Sequence, residues 1–198
     1  MRLGVDGEVF AWQERGGVSR VFLEVLPRIR EQAEDIDLFV GLRDRPVNKG
    51  LQDAGLAFDR IPAVSPAWRP WFLWKHIRPA INRVLAKRYW RRADVFLSTF
   101  FTLPPVALPS VCVVHDMIYE LLDIDALFEE ADEGQRRFVA EVCAAKRRAV
   151  TRADVVICNS AGTQRDLVRV LGVQPSKCCV VHWGGEHLRR LHPSPRPY

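Results

Sequence analysis

Apolar residues along this chain fall into two alternating patterns. Short runs without polar alternation read as strands: Arg2 to Asp6, Leu38-Phe39-Val40, Val95-Phe96-Leu97-Ser98, Val111 to Val114 and Val155-Val156-Ile157-Cys158. Leu56 to Ile61 reads as a weaker strand, and Cys178 to His182 as a last one. Between them, Val18, Val21, Phe22, Val25, Leu26 and Ile29 recur at the spacing of one helix face. Phe138, Val142, Ala145 and Ala149 mark a second helix, and Ala161 to Leu171 a third, with Ser160 as its N-cap and Gly172 as its stop. Buried-type strands, each followed by a helix, predict an α/β fold: a Rossmann-like parallel sheet with helices on both faces. Three segments escape the pattern. One is a long basic, Trp-rich segment broken by Pro66, Pro70 and Pro79. Another is the loop at Pro104-Pro105. The third is the closing Pro193-Ser194-Pro195-Arg196-Pro197-Tyr198, which reads as a linker.

The length, 198 residues, fits one domain and is too short for two of full size. Hydrophobic residues at 48% and charged residues at 27% exclude wholesale disorder. No apolar run reaches the roughly 18 residues a membrane span needs. The N-terminus turns acidic at Asp6 and has no long apolar stretch, so it does not read as a secretory signal. Five cysteines, with Cys112, Cys143 and Cys158 inside apolar runs, read as reduced thiols of a cytoplasmic protein. The net charge of +5 changes the picture more, because residues 61–93 hold eight Lys or Arg and no acid. The rest of the chain is therefore net negative. Glu120 to Glu133 is the counterpart, with seven acids and no base. This asymmetry points to anionic partners on the basic side.

Ligands of open α/β sheets bind outside the carboxyl ends of the strands, so the residues after each strand are the candidates for chemistry. After the first strand, Gly16-Gly17-Val18-Ser19-Arg20 opens a helix. Two glycines and a helix N-terminus suit a phosphate or a sugar hydroxyl, and a plain flexible turn is the competing reading. The run is not G-x-G-x-x-G, and there is neither a P-loop nor a G-x-S-x-G elbow. After the fifth comes His115-Asp116. Neighbours on extended chain point to opposite faces, so one faces the cleft while the other braces the loop, and the two do not form a dyad. A structural histidine is the alternative. Asp123-Ile124-Asp125 matches a metal-binding D-x-D but sits in the acidic stretch and reads as a solvated loop. Cys178, Cys179, His182, His187 and His192 lack C-x-x-C spacing, so no metal site is expected. Trp68, Trp71 and Trp74 beside Arg69 and Lys75 suit a membrane interface. A partly buried loop competes with that reading, and nucleic-acid binding is the remote one.

Taken in order, four motifs resemble the N-terminal half of a GT-B glycosyltransferase of family 4, the retaining "group 1" type. They are Arg2 to Asp6 with Gly16 to Arg20; Ala93 to Ser98 with Pro104-Pro105; Val113-Val114-His115-Asp116-Met117-Ile118-Tyr119; and Ala153 to Ser160, continued through Asp166-Leu167, Leu171-Gly172-Val173 and Lys177 to Gly185. The resemblance implies an acceptor-side domain over residues 1–183 and a hinge or linker over 184–198, with the donor-binding C-terminal domain absent. It implies catalytic contact between His115 and the transferred sugar. Gly16, Gly17, Arg20, Asp116 and Ser160 would line the substrates. No cofactor and no metal are expected, with a nucleotide sugar as donor.

The function so implied is sugar transfer from a nucleotide sugar to a polysaccharide or lipid-linked acceptor, incomplete without the missing C-terminal domain. Trp68, Trp71, Trp74 and Lys75 would touch an anionic membrane, peripherally on its cytoplasmic face, and nucleic acid is not an expected partner. The alternative is a non-catalytic Rossmann-like domain that binds a partner or a membrane surface.

Overall fold

A computed structural model describes residues 1–64, 71–128 and 130–184. Seven strands form one sheet: β1 (Arg2–Asp6), β2 (Asp37–Leu42), β3 (Phe58–Arg60), β4 (Val95–Ser98), β5 (Ser110–Val114), β6 (Val155–Cys158) and β7 (Cys178–Val180). Their order is β3-β2-β1-β4-β5-β6-β7, and every pair is parallel. The expected α/β architecture is therefore present. Two strands are shorter than the apolar pattern suggested. β3 starts only at Phe58, and β7 ends at Val180, so His182 lies beyond it.

Alternation along β5 assigns the two faces. Val113 packs with Val5, Val40 and Leu97 under α2 (Gly17–Gln32), whose Phe22 and Leu26 are buried there. Cys112 and Val114 face the other way. They meet Ala149 and Val150 of α7 (Glu133–Arg152) and Leu167 of α8 (Ala161–Leu171). Also on that second face is α4 (Trp71–Trp90), whose Ala86, Tyr89 and Trp90 pack on Phe96. Gly4 and Gly41 make room for this helix. A Cβ on either would lie 3.1 Å or less from the Trp90 ring. The described residues also include the short helices α1 (Glu8–Trp12), α3 (Gly50–Asp53), α5 (Ile118–Leu121) and α6 (Ile124–Phe128), and a 3-10 turn at Pro175–Lys177.

Three readings need correction. Pro79 does not break the basic segment; it lies within the continuous helix α4. Asp123-Ile124-Asp125 is not a plain loop but the start of α6, where Asp123 Oδ1 accepts the Asp125 N–H at 3.2 Å. The inner face of α7 is Val139, Val142, Lys146, Ala149 and Val150, while Phe138 points outward. Ser160 and Gly172 do the expected work at the ends of α8. The Ser160 hydroxyl accepts the Thr163 N–H, and Gly172 adopts the left-handed conformation, φ 67°. Among the described residues, no helix is long and apolar enough to cross a membrane.

Candidate active site

A parallel sheet delivers all its strand ends to one edge, and here that edge is organised by a buried carboxylate. Asp6, the last residue of β1, accepts the Glu8 N–H at Oδ1 (2.8 Å). Its Oδ2 takes the Thr99 N–H (3.2 Å) and the Thr102 hydroxyl, tying the loop after β1 to the loop after β4. Burial pushes this carboxyl up to about 6, against the pull of those hydrogen bonds.

The loop then runs through α1 to Gly16 and α2. Gly16 is the N-cap and offers no side chain to the first turn. Gln13 reaches over instead, its Oε1 accepting the Ser19 N–H at 3.1 Å, while the Ser19 hydroxyl donates to the Gly16 carbonyl at 3.1 Å. A Cβ on Gly16 would fall 2.3 Å from that Gln13 oxygen, so a side chain there displaces the brace. A Cβ on Gly17 would meet nothing within 4 Å. The start of α2 is thus open at Gly17, on the positive end of the helix dipole, while Gln13 occupies the Ser19 N–H. A cleft of about 940 Å³ follows this helix, bordered by Gly16, Gly17, Arg20, Asn48 and Lys49. Arg20 is exposed and also borders a hollow of about 460 Å³ shared with Trp183 and Gly184.

His115 follows β5. Its ring meets Phe22 of α2 edge-on, centroids 6.1 Å apart, and lies against Trp183, 5.7 Å away. His115 Nε2 and Trp183 Nε1 are both buried without a hydrogen-bond partner among the described residues. Burial lowers the imidazole pKa; the Lys146 ammonium lowers it further, and Asp116 opposes both. Asp116 is exposed and turns the other way, its Oδ1 accepting the Ile118 N–H at 3.2 Å to open α5. The adjacent pair therefore diverges. Phe22 brings His115 and the open start of α2 to one place. Ser160 stands at the same edge, but its hydroxyl is engaged with Thr163.

The D-x-D carboxylates are spent locally: Asp125 Oδ1 accepts the Ala131 N–H at 3.3 Å and pairs with Arg136. Cys178 is buried and Cys179 exposed, and among the described residues no three His, Cys, Asp or Glu gather as a metal set would. Trp68 lies outside the described residues, as do the side chains of Trp71, Trp74 and Lys75. Asp6, Lys146 and Trp183 went unnoticed in the sequence. Asp6 had a signal, an acid closing an apolar strand. Lys146 had one too, since it falls four residues after Val142 and three before Ala149, on the buried stripe of α7.

Comparison with known proteins agrees with this geometry. The family model for Glycosyltransferase Family 4 matches residues 15–185. Among solved structures, a glycosyltransferase from Rickettsia africae ESF-5 is similar at 12% identity and a TM-score of 0.51. That match covers 98% of this chain and 46% of the other, so this chain spans about half the length of its structural relative. At such identity the likeness speaks for the fold alone. Among curated proteins, nothing matches. The family match takes in the open start of α2, His115 and the last βα unit, and the chain belongs to Glycosyltransferase Family 4, with the fold of a GT-B N-terminal domain.

Proposed function

We propose that this domain forms the acceptor side of a retaining glycosyltransferase that moves a sugar from a nucleotide sugar to a polysaccharide or lipid-linked acceptor. The observation that carries the reading is His115 packed on Phe22 of α2 and on Trp183, which shares a hollow with Gly17 and Arg20 at the start of that helix. Gly16 and Gly17 would lie beside the donor diphosphate and the acceptor, with Arg20 on the rim, while Asp116 braces the turn into α5. His115 would contact the transferred sugar. In the reaction, the bond from the anomeric carbon to the diphosphate oxygen breaks. The acceptor oxygen bonds to the same face of that carbon, and its proton passes to the departing phosphate oxygen. Electrostatic stabilisation of that leaving group is usually the largest catalytic term. Because this chain spans 46% of its structural relative, a second domain would supply most of that stabilisation, and the chain alone would turn over little. No metal enters the proposal.

The outer side of α4 supports peripheral attachment to an anionic membrane. Ile77 and Val84 are 48% and 64% exposed, and Arg83, Lys87, Arg88 and Arg91 lie on the surface around them. The segment is not surface throughout, since Tyr89 and Trp90 are core and Arg92 stacks on the Phe39 and Tyr89 rings. Each cation near an anionic bilayer contributes about 1 kcal/mol. Vesicle co-sedimentation should show binding that needs anionic lipid and weakens with salt. Equal binding to neutral vesicles removes this part of the reading. The transferase reading itself is tested by screening nucleotide sugars with the enzyme containing both domains. Absence of turnover with every nucleotide sugar would exclude it, and turnover that survives in both His115→Ala and Gly17→Trp would exclude this site.

A further inference from the structure

We propose that Lys146 is a positioning residue for the His115 turn: its buried ammonium, held by Glu120 and the Phe101 ring, grips the Asp116 carbonyl and fixes how His115 meets the cleft. The proposal rests on the reading of His115 as a substrate contact.

Lys146 sits on the inner stripe of α7 among Val139, Val142, Ala149 and Val150. Its side chain is 2% exposed and that of Glu120 is 6% exposed, at a separation of 2.8 Å. Removing two charges from water is costly, and an apolar pair of similar volume would fill the space at least as well. What the ammonium adds is reach. It donates to the Asp116 carbonyl at 3.0 Å and lies 5.3 Å from the centroid of the Phe101 ring. These partners come from three separate segments: the loop after β5, helix α5 and the loop after β4. Phe101 has φ 55°, a left-handed conformation that a bulky side chain adopts only where its surroundings hold it. One side chain thus gathers two loops at the carboxyl edge, and the carbonyl it grips is that of the residue after His115.

The charged groups facing the imidazole are Asp116 on its own loop and Lys146 from α7. From α2 and from the segment after β7 it meets the rings of Phe22 and Trp183. Glu120 reaches it electrostatically through Lys146. This arrangement makes opposite predictions for two substitutions that both loosen the pair.

The test is the titration of the His115 ring, followed by NMR in the 198-residue chain. Lys146→Met removes a cation and should raise the midpoint. Glu120→Gln leaves the ammonium uncompensated and should lower it. Simple loosening would move both upward, toward an exposed histidine, and that result overturns the proposal. If Lys146→Met does not fold, the apolar pair Lys146→Met with Glu120→Leu replaces it. That double variant should keep its melting temperature, raise the midpoint and speed amide exchange at Met117 and Ile118. In the enzyme with both domains it should lower kcat about 10- to 100-fold with KM little changed, as a misplaced contact does. An unshifted titration with wild-type kcat overturns the proposal. If His115→Ala itself keeps kcat, the reading of His115 as a substrate contact fails, while the opposed titration shifts still decide the role of Lys146.

Discussion

Two helices start at the same edge of the sheet and are finished in opposite ways. α8 begins after β6 with Ser160, whose hydroxyl takes the Thr163 N–H at 3.0 Å, while the Thr163 hydroxyl bonds Asn159 at 2.9 Å. Its first turn is satisfied by its own sequence. α2 begins after β1 with Gly16, which brings no side chain, and with Gly17, around which there is space. The cap that position 16 would ordinarily supply comes instead from Gln13, whose Oε1 accepts the Ser19 N–H at 3.1 Å. The difference leaves α8 closed by its own residues and α2 open at Gly17, where the proposed substrates would lie. It also separates residues whose loss should cost activity from those whose loss should cost folding.

The largest effect expected is at His115. In the two-domain enzyme, His115→Ala should lower kcat by about 100-fold or more, on the order of 3 kcal/mol in the transition state, with a smaller change in KM. Steady-state kinetics beside a thermal melt check this. A lost melting temperature with intact kcat would put His115 on the self-holding side of the comparison.

Asp6 comes next, and its effect is on stability against pH. The folded chain keeps the Asp6 proton to about pH 6, whereas the ordinary value is 3.8. Between those values the folded state binds more protons than the unfolded one, so this group makes stability fall as pH rises from about 4 to 6, with no further change above. The full span amounts to a few kcal/mol, on the order of 2 to 3. Asp6→Asn should flatten that part of the curve in chemical denaturation at several pH values. His115 has the opposite sign. Its depressed pKa removes stability as pH drops below about 6.5.

Ser160→Ala should cost about 1 kcal/mol of stability through the lost cap, with KM unchanged. A rise in KM without a stability loss would move Ser160 into the binding site. Gly17→Ala is the smallest change and the sharpest contrast. The space is open and the residue is helical, so stability should rise by about 0.5 to 1 kcal/mol while the apparent affinity for the nucleotide sugar falls. A variant that gains stability and keeps its affinity would show that the space at Gly17 is not used.

Much of the sheet was legible because β5 and β6 are unbroken apolar runs bounded by polar residues, and a parallel sheet needs that on both faces. The ends of α8 were legible because a cap and a left-handed glycine are local devices. The helices of four and five residues were not, since one turn carries no period. Pro79 misled because a proline removes one N–H and crowds one carbonyl, a local penalty that burial of Ala86, Tyr89 and Trp90 outweighs. The candidate site was legible as far as His115 and Asp116, which follow β5 directly, and the two glycines, which open α2. Trp183 was hidden because contact with His115 across 68 positions comes only from the sheet order. Lys146 was hidden because a lysine in a helix normally faces solvent, and only the folding of α5 over α7 encloses it.

The sheet order has a consequence for the birth of the chain. β1 is the first strand made, yet it lies in the middle, between β2 and β4. Its last anchor, the Thr102 hydroxyl on Asp6, comes from a residue 96 positions later. At a synthesis rate of about 5–20 residues per second, β1 waits several seconds after emerging from the ribosome with one edge unpaired. The β5–β6–β7 unit, whose strands follow one another in sequence, closes almost as fast as it appears. The half that carries the open helix start is therefore the half most exposed to nascent-chain binding factors, and the quality of its first strand is decided before the rest of the domain exists.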